Sequence, residues 1–147
     1  MNELSNFDII DICHKDKLPL KGIHSKNVLP LKLENGFYII NLADDDADGT
    51  HWTCLYKYNP SLYFYYDSFG FPPPLDIEQR VNGNMIINNK EVQDMEDTSC
   101  GYYCIAFIKY MTKSRHKNPI QSFNKFISLF KNNTYVNEVV LNDILYS

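Results

Sequence analysis

The chain has no apolar run of about eighteen residues, the length a hydropathy-defined transmembrane helix needs, and it has no excess of positive charge. The first absence excludes a membrane-spanning helix, and the opening Met1-Asn2-Glu3-Leu4-Ser5-Asn6-Phe7-Asp8 carries neither a basic nor an apolar leader-like stretch. A soluble intracellular protein without a membrane partner is the expectation. A net charge of −4 and a pI near 5.5 supply no whole-protein field to gather nucleic acid, so no nucleic-acid requirement is expected, although a local basic face stays open. Internal repeats and low-complexity linkers are missing too, which argues for one domain over residues 1–147 that needs no partner subunit. Cysteines number four (Cys13, Cys54, Cys100 and Cys104), and with no leader they imply reduced thiols rather than a disulfide framework.

What is present is ordinary for a globular protein, with 44% hydrophobic and 22% charged residues, except for the aromatics. Eleven Tyr and nine Phe join a single Trp, and many fall between Tyr56 and Phe71, where paired strands use them as cross-strand packing. Leu4 to Cys13 has a helical apolar pattern. Phe37–Leu42, Trp52–Tyr58 and Leu62–Asp67 are β-branched and aromatic runs that predict strands. The last two flank Asn59-Pro60-Ser61 and so predict an antiparallel hairpin, with His51 opening one strand and Asp67 closing the next. Asn82-Gly83-Asn84 predicts a turn before the short run Met85–Ile87. Cys100 to Met111 has a helical apolar face (Cys104, Phe107, Ile108, Met111), with Asp97, Thr98 and Ser99 offering N-cap oxygens; Ile120–Phe130 and Val136–Leu145 predict two further helices. The fold class is therefore α+β.

Four residues in this frame supply the parts of thiol chemistry on an amide. Cys100, at a helix start, is the candidate nucleophile, since the N-terminal dipole and a neighbouring imidazolium both favour a thiolate. His51 is the candidate base, and Asp67, brought beside it by the hairpin, fixes its tautomer and stabilises the imidazolium. The Gln93 side-chain amide and the Cys100 backbone N–H are candidate oxyanion donors. Trp52 and Gly101, adjoining the base and the nucleophile, are candidate substrate contacts.

Gly49-Thr50-His51-Trp52, Asn59-Pro60, Tyr66-Asp67-Ser68-Phe69-Gly70-Phe71, Gln93 and Ser99-Cys100-Gly101-Tyr102-Tyr103-Cys104 together resemble the adenovirus maturation protease (adenain) family in order and spacing. The resemblance covers roughly residues 36–113, and compact relatives in virophages and virus-like transposons are of similar size. It implies a mixed or antiparallel sheet packed on a central helix that bears the catalytic Cys at its N-terminus. It also implies a cysteine endopeptidase that cleaves viral capsid or structural precursors, with Gly beside the scissile bond, and a site without metal or cofactor. The expected setting is the host cytoplasm or nucleus, or a viral factory, with packaging in the virion. Activation by a basic peptide or by DNA, known in the longer adenovirus enzyme, is not carried over to this shorter acidic chain.

Other constellations compete. An isopeptidase acting on a ubiquitin-like modifier needs the same four residues, and a pseudoprotease would keep them without turnover. Asp44-Asp45-Asp46 with Asp48 begins like a calcium loop, but position twelve is Leu55 where the motif needs Glu, so a solvated acidic loop is the better reading. Cys100, Cys104, His51 and His116 do not have the spacing of common zinc modules. Lys109, Lys113, Arg115, His116 and Lys117 read as charge at a helix end.

Overall fold

The computed structural model describes residues 2–43, 51–95 and 97–147. Helix α1 (Asn6–Lys15) begins where Ser5 caps it: Ser5 Oγ accepts from Asp8 N at 3.1 Å, and Asp8 Oδ2 accepts from Ser5 N at 3.0 Å. This reciprocal capping box places the start two residues after the predicted Leu4, whose side chain turns into the core instead. Five strands follow in the chain: β1 (Leu20–Ser25), β2 (Gly36–Asn41), β3 (Trp52–Asn59), β4 (Leu62–Tyr66) and β5 (Asn84–Ile87). They form one mixed sheet in the order β1-β2-β3-β4-β5, antiparallel at its centre and parallel at both edges. β1 was not among the predicted strands, because Lys21, Gly22 and His24 break any apolar alternation. The short helix α2 (Leu75–Glu78) was not predicted either.

Alternation along the central strands divides the core into two layers. Phe37, Ile39, Cys54, Phe64 and Tyr66 face helix α3 (Cys100–Lys113), with α1, α4 (Pro119–Ser128) and α5 (Thr134–Leu145) around it. Phe107 of α3 is the hub: its ring lies 5.2 Å from Tyr66, 5.5 Å from Phe126, 5.9 Å from Phe123 and 6.0 Å from Phe37. Across the sheet, Tyr38, Ile40, Leu55, Tyr63 and Tyr65 pack under Leu29, Leu33 and Ile77. The Arg80 side chain ties that layer down by donating to the carbonyls of Leu29 and Pro30. The crowded aromatics thus serve packing. Among the described residues no helix is long and apolar enough to cross a membrane.

Candidate active site

The hairpin does what its turn composition predicts. β3 and β4 pair antiparallel, with Cys54 opposite Tyr66, so the residue preceding β3 and the residue following β4 come together. His51 Nε2 lies 2.8 Å from Asp67 Oδ1. The His51 backbone is tied to the neighbouring chain, its carbonyl accepting from Leu42 N at 3.0 Å. Its ring stacks on Phe69, with centroids 4.1 Å apart and planes 10° from parallel. The imidazole is therefore fixed at one nitrogen and over one face.

Asp67 is fully buried. Oδ1 also accepts from Phe69 N at 2.8 Å, and the Asp67 carbonyl accepts from Gly70 N at 2.8 Å, closing a tight turn. Gly70 sits at φ +79°, and a Cβ there would meet the Lys90 backbone carbon at 2.8 Å, so both conformation and space require glycine. Asn88 clamps the same residue from behind. Its Oδ1 accepts from Asp67 N at 2.9 Å, and its Nδ2 donates to the Asp67 carbonyl at 2.8 Å and to the Lys90 carbonyl at 3.2 Å. Burying a charge without such partners is costly, and the His51 ring, when protonated, is an opposite charge that it faces directly.

Cys100 is the first residue of α3 and is buried; its Sγ accepts from Trp52 N at 3.4 Å. Burial pulls the His51 pKa down, but the hydrogen bond and charge of Asp67, together with Cys100, outweigh it and push the pKa up to about 9. Nδ1 of His51 is buried and makes no hydrogen bond at standard geometry, while the Cys100 side chain is near enough to act on the ring. Burial, with Asp16 adding, pushes Cys13 up to about 11, and burial raises Cys54 and Cys104 well above the ordinary thiol range. A cleft of about 200 Å³ opens over Cys100 between His51, Phe69, Met95, Asp97, Thr98 and Glu3.

Several sequence expectations land elsewhere. Trp52 and Gly101 do not line this cleft: Trp52 is buried with its Nε1 donating to the Leu4 carbonyl at 3.0 Å, and a Cβ on Gly101 would meet Leu4 and Trp52. They pack the helix start against the sheet, and Trp52 also lines a neighbouring hollow of about 510 Å³. Ser99 is the N-cap residue of α3, yet its side chain makes no cap bond; Ser99 Oγ lies 3.0 Å from both Asp97 Oδ1 and Glu138 Oε1. Gln93 is buried just behind the cleft, its Oε1 accepting from Ser68 Oγ and its Nε2 donating to the Asp97 carbonyl at 2.9 Å. One of its two amide protons is thereby spent. Among the described residues no group of three or more His, Cys, Asp or Glu is placed to hold a metal. The Asp44–Asp48 loop lies outside the described residues.

No family model matches the chain. The protease of Bovine adenovirus C serotype 10 is 28% identical over 95 residues, covering 52% of this chain and 48% of that protein. The chain is thus similar in sequence to an adenovirus protease over about half its length. It spans about half the length of the curated relative it matches. Among solved structures, the ASFV pS273R protease overlays on 59% of this chain and 38% of its own, with a TM-score of 0.41 and 16% identity. The central domain of the uncharacterized Lpg1148 protein from Legionella pneumophila covers 99% of this chain and 98% of its own, with a TM-score of 0.44 and 13% identity.

Three contributors escaped the sequence reading. Phe69 entered only within the Tyr66–Phe71 stretch that carries the resemblance, although an aromatic two residues after a strand-end Asp is in reach of the adjoining histidine. Ser68 orients Gln93, and Asn88 holds Asp67. A lone Asn after a short strand carries no signal that separates it from a turn residue.

Proposed function

We propose that the chain is a cysteine endopeptidase, a single catalytic domain in which Cys100, His51 and Asp67 hydrolyse peptide bonds of viral structural precursors. The observation that carries this reading is the 2.8 Å His51–Asp67 contact beside a helix that begins at Cys100. Cys100 Sγ attacks the scissile carbonyl carbon, forming a C–S bond, and its proton resides on His51. The oxyanion is met by the Cys100 N–H and by the remaining Gln93 amide proton. His51 then protonates the amine as the C–N bond breaks. Water, deprotonated by His51, attacks the thioester and releases the acid and the thiol. A His51 pKa near 9 suits the imidazolium role at neutral pH, since the proton needed by the leaving amine is already held there.

The small volume of the cleft over Cys100, about 200 Å³, favours chains with little side-chain bulk at the cleaved bond, which supports Gly-containing sites. A reducing compartment suits the four free thiols. Incubation with the structural proteins encoded alongside it, followed by mass spectrometry of new N-termini, tests the reading. Discrete new termini with the wild type, and none with a folded Cys100→Ala variant, are expected. Equal cleavage by both proteins would overturn it.

A further inference from the structure

The Cys100 cleft lies between two larger hollows. On one side it shares Glu3 with a hollow of about 510 Å³ that Asp8 and Trp52 also line. On the other it shares Met95 and Asp97 with a hollow of about 560 Å³ that Asp94 and Glu138 also line. A trough thus runs through the sulfur. Among the described residues its walls carry five carboxyl groups and no Lys or Arg; one of the five, Glu138, is raised to about 7 by burial and by Asp97, and burial lowers the pKa of His24 in the same walls.

Two observations separate this from an incidental acidic patch. The charge is segregated along α3: Lys109 and Lys113 lie about 14 and 20 Å from Cys100 by helical rise, and Arg115 and Lys117 follow just past the helix end. Carboxylates around an anionic nucleophile also work against the chemistry, because like charge disfavours the thiolate. Their presence is therefore explained by what enters the trough rather than by the reaction. Met95, 60% exposed at the junction, offers an apolar contact between the two acidic arms.

We propose that this trough selects extended polypeptide segments bearing Lys or Arg on both sides of the scissile bond. The proposal rests on the peptidase reading for the position of that bond, while the charge preference is a property of the walls. A bound lysine stem lies along the trough and its ammonium meets the carboxylates, a steering that salt screens.

The test uses fluorescein-labelled twelve-residue peptides with a central Gly-Gly and flanks of Lys, Ser or Glu, titrated by anisotropy against Cys100→Ala protein. The Lys peptide is expected to bind at least about tenfold more tightly than the Glu peptide at low salt, with the advantage shrinking in roughly 0.5 M salt. Adding Glu3→Lys and Asp94→Lys, two exposed positions, removes most of that advantage. Equal affinities, a Glu preference, no measurable binding by any peptide, or a Lys preference unchanged in the charge-reversed protein would each overturn the proposal. Cleavage of the same peptides by wild type reports separately on the nucleophile. Lys-selective binding without cleavage keeps the trough and defeats the peptidase reading, whereas cleavage blind to the flanking charge does the reverse.

Discussion

At the scale of single residues, Asp67 is where burial, hydrogen bonding and proton affinity meet. Its carboxylate is one of the groups that raise His51 to about 9, so Asp67→Asn lowers that value. The proposed reaction then loses its alkaline limb at a lower pH, and kcat/KM falls by about 10²–10⁴-fold, read from pH–rate profiles of both proteins. Unchanged profiles would show that the contact has no part in turnover. Asn88 acts one step behind. Asn88→Leu leaves the Asp67 N–H, the Asp67 carbonyl and the Lys90 carbonyl without their partner and costs about 2–3 kcal/mol in urea unfolding. A loss under about 0.5 kcal/mol would show that the clamp is dispensable. His51, Asp67 and Cys100 were legible in the sequence because strand ends, a short turn and a helix start each leave a local mark. Asn88 was not, since its role exists only once β4 and the segment after β5 are side by side. Trp52 and Gly101 adjoin the reactive residues in sequence, but that adjacency does not say which face of the helix start is open, and both pack against Leu4.

At the scale of elements, the hairpin and α3 were readable because apolar period and turn chemistry agree in them. β1 was hidden by its polar residues and is held by parallel pairing with β2, a long-range partner that no local pattern announces. The N-cap of α3 was also misjudged: Ser99 is at the cap position, but its hydroxyl meets Asp97 and Glu138 instead of the first-turn amides. Phe107 joins the helix to the sheet, and Phe107→Ala costs about 3–5 kcal/mol by the cavity it opens. Differential scanning calorimetry checks this, and a melting temperature within a degree of wild type would deny α3 its central place in the core.

At the scale of the whole molecule, protonation ties the site to folding. His51 has a folded pKa raised from 6.5 to about 9, so its stabilising contribution is complete below 6.5 and is lost as pH rises through 9. Glu138 is raised from 4.5 to about 7 by burial and by Asp97, so the contribution of its bound proton is complete below 4.5 and disappears as pH rises through 7. Both act in the same direction. Wild type is expected to lose about 3 kcal/mol more than His51→Gln between pH 6.5 and 9.5 in urea titrations. Parallel losses in the two proteins would place the proton elsewhere. The mixed sheet with its four longer helices on one face follows from the α+β pattern of the sequence, whereas the acidic trough, assembled from both termini of the fold and the approach to α3, became visible only in three dimensions.

The most direct measurement is the rate of iodoacetamide alkylation at each cysteine, resolved by mass spectrometry, in wild type, His51→Gln and Asp67→Asn protein. An imidazole-activated sulfur predicts that Cys100 reacts at least roughly tenfold faster than Cys13, Cys54 and Cys104 at pH 6.5, and that either substitution removes most of the advantage. Cys100 alkylation no faster than that of the three buried thiols, or unaltered by loss of His51, would contradict it.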